Sequence, residues 1–235
     1  MTQTEHISKQ FDADLERLRA SVLQMGGLVE QQIVHALHSL TTGDMRLADQ
    51  VVEKDHHVNA LEISIDEDCT NIIARRQPAA GDLRMVMTVI KLITDIERIG
   101  DEADKMARMA KLVHTTDRLH APRLADINHV THLALDMLRK ALDAFARLDT
   151  KTAIEVMRQD DLVDEAYRAI LRQLLTFMME DPRTISASLD ILFIAKAIER
   201  IGDHSKNMAE HIIYLVKGKD VRHVSLEQIE KDASL

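Results

Sequence analysis

Ile96-Glu97-Arg98-Ile99-Gly100-Asp101 recurs unchanged as Ile198-Glu199-Arg200-Ile201-Gly202-Asp203, 102 residues later, and the identity resumes at Met106-Ala107 and Met208-Ala209. A word repeated near the end of each half predicts two copies of one structural unit. Both copies lack proline and carry apolar residues at helical spacing, so each is read as helix. Residues four apart share a helix face. Glu97 therefore stacks on Asp101, and Glu199 on Asp203. Asp104 extends the first line, whereas Lys206 holds that place in the second copy. Two carboxylates a turn apart repel by about 0.2–0.5 kcal/mol, and a bound cation is one way to offset this. Val86, Ile90 and Ile93 precede the first pair on the same azimuth, and Leu192 and Ala195 the second. The acids thus sit at the edge of the apolar face.

Outward from these words the composition is that of a helical protein. Three prolines and seven glycines interrupt 235 residues, and aromatic residues are only 3% of a chain that is 46% apolar. Residues 1–10 are polar and expected to fray. Helices are predicted over about 11–40, 45–76 and 82–113, with Asp82 as an N-cap, and again over about 125–148, 150–179 and 184–216, the fourth opening near Pro122. Gly26-Gly27 marks a close helix approach or a bend. Thr41-Thr42-Gly43-Asp44 is a turn, and Gly218 a helix stop. Asp149-Thr150 stands where Asp44-Met45 stood 105 residues earlier, so three residues are lost before the sixth helix. The expected fold is all-α: two tandem pseudo-symmetric three-helix bundles of six long helices, elongated. The units are residues 8–116 and 121–218, followed by a loose charged tail over 219–235 with at most one helical turn.

The net charge of −9 argues against a nucleic-acid partner, because phosphate binding needs a basic surface. Cys69 is the only cysteine, which excludes an intrachain disulfide and fits a reducing compartment. No signal peptide and no apolar run of membrane-spanning length is read. A soluble cytoplasmic protein, not inserted in a membrane, is expected.

The second helix carries its own polar line, Asp55, Asn59, Glu62 and Asp66. Its counterparts in the second half are Asp160, Asp164, Tyr167 and Leu171, so only the first two positions stay polar in both copies. If the second and third helices run antiparallel, Asp55 and Asn59 lie level with Glu97 and Asp101, and Asp160 and Asp164 with Glu199 and Asp203. Such oxygen-only sets suit magnesium, manganese or calcium, and hold iron less selectively. The competing reading is a solvated acidic face paired with neighbours such as Arg98 and Lys105. Gly100 and Gly202 also belong to the word. Mid-helix glycine costs about 1 kcal/mol relative to alanine, so part of the word is read as serving close packing. Glu53-x-x-His56 resembles half of a di-iron carboxylate motif, but the second half has Arg158 and Asp161 there. A carboxylate-bridged, metal-dependent enzyme is therefore only the alternative. The twelve histidines are scattered, and no nucleophile–base pair is readable.

Together with the repeated word, Arg75-Arg76-Gln77-Pro78, Met25-Gly26-Gly27-Leu28-Val29-Glu30 and Tyr214-Leu215-Val216-Lys217-Gly218 resemble the PhoU family of phosphate-specific transport system accessory proteins, over about residues 5–230. The resemblance implies divalent metal ions (magnesium, manganese or iron) held by Asp55, Asn59, Glu97, Asp101 and Asp104 in the first half and by Asp160, Asp164, Glu199 and Asp203 in the second. Asp104 has no acidic counterpart, since Lys206 stands there, and the two sites are not expected to be equally occupied. It further implies a non-enzymatic cytoplasmic homodimer that represses the phosphate-starvation response and restrains phosphate uptake. Its partners would be the ATPase subunit of a phosphate ABC transporter and a sensor histidine kinase.

Overall fold

A computed structural model of the chain describes residues 9–115, 124–222 and 224–233. The expected fraying of residues 1–8 and the helix start near Pro122 lie outside them. Every regular element among the described residues is helical: α1 (Lys9–Thr42), α2 (Met45–Arg76), α3 (Ala80–Thr115), α4 (Leu124–Arg147), α5 (Thr150–Glu180), α6 (Ile185–Lys217) and α7 (Leu226–Ala233), with a 3-10 turn over Pro182–Thr184. At 1.5 Å per residue, α3 with its 36 residues is roughly 54 Å long.

The helix starts follow from short polar side chains. Asp44 Oδ1 accepts a hydrogen bond from the Arg46 amide at 3.1 Å, and its counterpart Asp149 accepts from the Lys151 amide at 2.9 Å, which satisfies amides that the first turn leaves unpaired. Asp82 is not the cap expected for α3. The helix begins at Ala80, and Asp82 lies in its first turn. The 3-10 turn at 182–184 occupies the positions matching the start of α3, so the three-residue loss is absorbed by delaying α6. At the other end of that helix Gly218, at φ 74°, is the left-handed C-cap.

Ion pairs report the helix directions. Arg76 at the end of α2 meets Asp14 near the start of α1 at 3.0 Å, and Lys111 near the end of α3 meets Asp49 near the start of α2 at 2.5 Å. Both neighbours of α2 therefore run antiparallel to it. The helices α1–α3 form one bundle and α4–α6 the other, and the two join through α3 against α6, the most extensive helix contact, and α1 against α4. One continuous apolar core runs through both. Gly26 lets α1 and α4 approach, since a Cβ there would lie 2.4 Å from Leu142 Cδ2. The helix passes through the Gly26-Gly27 pair without a break.

The tail departs from its expectation. The eight-residue α7 packs against α5, and Val221 and Ile229 join the core. Cys69 is buried, and burial, then the charges of Asp66 and Asp68, push its thiol pKa up to about 12, so it is a poor nucleophile at neutral pH.

Candidate functional site

The repeated word divides its labour by helix face. Ile96, Ile99, Ile198 and Ile201 are fully buried. A Cβ at Gly100 would sit 3.3 Å from Gln32 Oε1 and 3.5 Å from Val58 Cγ1, and one at Gly202 would sit 3.3 Å from Val163 Cγ1. The glycines therefore set how closely α3 and α6 approach the preceding helices of their own bundles, and this proximity faces Glu97 and Asp101 with α2, and Glu199 and Asp203 with α5. Gly202→Val should destabilise the protein by roughly 1–3 kcal/mol through overpacking, read as a lower urea midpoint. An unchanged midpoint would show that the α5–α6 spacing is not set at this residue.

In the first half, Asp55 and Asn59 of α2 and Glu97, Asp101 and Asp104 of α3 do come together. Asn59 Nδ2 donates to Asp55 Oδ2 at 3.4 Å, and Arg108 Nε to Asp104 Oδ2 at 2.6 Å. Asp55 Oδ1, Asn59 Oδ1 and Asp104 Oδ1 are buried with no hydrogen-bond partner in the chain. Burial, followed by the charges of Asp104 and Asp101, raises the Asp55 carboxyl above its ordinary value. Burial, then Asp101, Glu62 and Asp55, raises Glu97. Glu62 belongs to the same field, raised by burial while a 3.5 Å hydrogen bond from Thr94 works the other way. Tyr167 is the counterpart of Glu62, so the repeat does not single this glutamate out. Its place four residues before Asp66 and seven after Asp55 was the available signal.

The second half collects the matching residues but neutralises them from within the chain. Asp160, only 5% exposed, accepts from Lys206 Nζ at 2.6 Å. Asp164 pairs with Arg168 at 2.8 Å, and Glu199 with Lys196, whose ammonium also lies 5.5 Å from the centre of the Tyr167 ring. Burial alone would lower Lys206, but the hydrogen bond and charge of Asp160 lift it. Asp203 is exposed as a residue, yet partial loss of solvent at its carboxyl, then the charges of Glu199 and Asp160, raise it. Lys206 thus stands where Asp104 stands and presents an ammonium to the carboxylate that matches Asp55.

Among the described residues no three His, Cys, Asp or Glu side chains are arranged to grip one ion as they stand. In donor chemistry the two halves differ. The first offers buried carboxylate and amide oxygens without partners, the kind of donor a hard divalent cation takes. The second has a cation of its own on three of its four acids, and does not fit an ion in that arrangement. The other metal-like motif points outward: Glu53 and His56 are exposed, and His56 stacks on His57 with ring centres 4.1 Å apart.

A second polar cluster, absent from the sequence reading, lies in the seam between α3 and α6. Asp95, 6% exposed, faces His204 Nδ1 at 3.0 Å and His211 Nε2 at 3.4 Å, and accepts from Asn207 Nδ2 at 3.4 Å. Burial pushes the Asp95 carboxyl up, but the hydrogen bonds and charges of His204 and His211 outweigh it, and the net position is below the ordinary value. An ionised Asp95 can only accept, so His204 Nδ1–H donates to it. A little further along, buried Glu102 pairs with Lys105 at 2.8 Å and with Arg200 at 3.1 Å. The signal for Asp95 was its position between Leu92 and Ile99 on the core stripe, where Ala197 is its counterpart.

The PhoU domain family model matches the chain twice, over residues 22–110 and 127–212, the two repeats seen in the fold. A phosphate-specific transport system accessory protein PhoU homolog of Pseudomonas aeruginosa is 47% identical over 230 residues, covering 97% of this chain and 94% of the relative. The phosphate-specific transport system accessory protein PhoU of Serratia marcescens is 49% identical over 227 residues, covering 97% and 93%. The crystal structure of PhoU from Pseudomonas aeruginosa superposes with a TM-score of 0.86 over 89% of this chain and all of that one, at 47% identity. The phosphate transport system regulatory protein PhoU from Streptococcus pneumoniae does so with 0.83 over 90% and 99%, at 29% identity.

Proposed function

We propose that this chain, which belongs to the PhoU family, is a non-enzymatic accessory protein of phosphate transport that acts in the cytoplasm as a homodimer and couples transport to signalling. The observation that carries this reading is the near 50% identity, along almost the whole chain, to proteins named as accessory components of the phosphate-specific transport system. An accessory role also suits a surface on which no described helix is long and apolar enough to cross a membrane. Its partners are then the ATPase subunit of a phosphate ABC transporter and a sensor histidine kinase, and its output is repression of the starvation response and restraint of uptake when phosphate is plentiful. The first acidic cluster takes a divalent cation, magnesium, manganese or iron, which ties α2 to α3 and leaves the α3–α6 seam untouched.

The test is a deletion of the gene for this chain in cells grown in abundant phosphate, with a starvation-response reporter and co-purification of the tagged chain. Deletion should raise the reporter, restoring the chain should silence it, and the transporter ATPase should co-purify. A reporter that stays repressed in the deleted strain would remove the regulatory role.

A further inference from the structure

We propose that the groove between α1 and α2 binds a nucleoside phosphate. The groove encloses about 530 Å³, the size of a small-molecule site. Leu28, Val51, Val58 and Leu61 give it apolar walls. Gln32 lines it at 6% exposure, and neither its amide nitrogen nor its amide oxygen has a hydrogen-bond partner in the chain. Buried polar groups normally have partners, and this amide, shut from solvent in the free chain with its oxygen against Gly100, is a donor and acceptor that a side-chain rotation would turn to a ligand in the groove.

The repeat supplies a control within the same molecule. The position matching Gln32 is Met137, fully buried. Around it the matching positions of the second half are bridged by the chain's own side chains. Gln159 donates to Asp136 Oδ2 and to the Leu133 carbonyl, each at 3.0 Å, and accepts from Lys140 at 3.0 Å, and Lys140 also pairs with Asp136 at 2.7 Å. In the first half the corresponding residues are Gln31, His35 and Lys54, all of which line the open groove. One repeat bridges these positions with its own side chains, whereas the other leaves a groove over an unsatisfied amide.

The ligand class follows from these groups. None of the described residues that line the groove is a carboxylate, although the chain as a whole carries a net charge of −9, and Lys54 brings a cation to its rim. Burial, then the charges of Lys54 and His38, hold His35 below the ordinary imidazole value, so it is neutral at pH 7 and offers a hydrogen bond without adding charge. A glutamine amide matches the paired donor and acceptor on a nucleobase edge, the apolar walls suit the faces of the base, and the lysine suits a phosphate.

The test uses the full chain with AMP, GMP, CMP and UMP, and with inorganic phosphate as control, read by calorimetry and thermal shift. At least one nucleotide should bind and raise the melting temperature. Gln32→Met, which copies the sister repeat and should fold at least as stably, should weaken that binding roughly ten- to hundredfold. Lys54→Met should weaken the nucleotide but not the matching nucleoside. Binding unchanged in Gln32→Met, no binding by any of the four nucleotides, or equal protection by inorganic phosphate alone would each overturn the proposal.

Discussion

Asp95→Ala should lower the stability of the protein by about 3 kcal/mol, the largest effect expected of any single polar substitution in this chain. The carboxylate is the common acceptor of buried His204 and of half-buried Asn207 and His211. Removing it strands buried donors, and each stranded group costs about 1–3 kcal/mol. The side chain itself is dispensable sterically, because Ala197 fills the matching position in the other repeat, so the loss measures the polar network more than the cavity. The pH dependence has a definite sign. Asp95 is depressed in the folded state, so its contribution is present above the unfolded value of about 3.9 and disappears as pH falls through the lower, folded value. The difference between wild type and variant in urea unfolding should therefore be largest at neutral pH and shrink as pH falls below about 4. A difference under about 1 kcal/mol at pH 7 would mean that the histidines find other partners and that the seam is held by its apolar contacts.

Magnesium or manganese at a hundredfold excess over its dissociation constant should stabilise the protein by about 2.7 kcal/mol, or roughly 5–10 °C in melting temperature for a chain of this size. Asp55, Glu62 and Glu97 are all raised in the folded state. Their ionisation is therefore easier in the unfolded chain, and the stability they contribute when protonated is lost as pH rises through their folded values. A cation on the first cluster relieves that repulsion at neutral pH, and the gain should shrink as acid supplies protons to the same oxygens. Asp101→Asn should abolish most of the rise. Asp203→Asn should leave it nearly intact, because Lys206, Arg168 and Lys196 already balance the second cluster. Lys206→Asp should add a second ion per chain, counted by elemental analysis or by manganese resonance. A rise of equal size in Asp101→Asn would take the ion away from this cluster, and two ions per wild-type chain would show that Lys206 yields its place.

The long helices, their antiparallel order and the repeat were legible because each rests on local periodicity, caps and turn residues such as Asp44, Asp149 and Gly218. The acidic residues were legible for the same reason, since helical spacing alone puts Glu97 and Asp101 on one face. The remainder depended on which helices meet. Nothing in the spacing of His204 and His211 tells that an aspartate 109 residues before the first of them shares their seam. Requiring both copies to agree found the shared architecture and hid what differs between them: Glu62 opposite Tyr167, Gln32 opposite Met137, and the consequence of Lys206. Val221 and Ile229 joined the core from a stretch whose charge density reads as loose tail, because two well-placed apolar residues were enough to dock it.

The α3–α6 seam also bears on whether the halves are interchangeable. The repeat relation places Glu102 opposite His204, Asp95 opposite Ala197 and Lys105 opposite Asn207. A chain assembled from the first half twice would keep an arginine for Glu102, since Arg98 stands where Arg200 stands, but would bring two copies of Asp95 into the seam without either histidine. A chain assembled from the second half twice would leave Arg200 without its glutamate. The two halves are alike in backbone but complementary in charge, and each finds its seam partners in its sister and not in a second copy of itself.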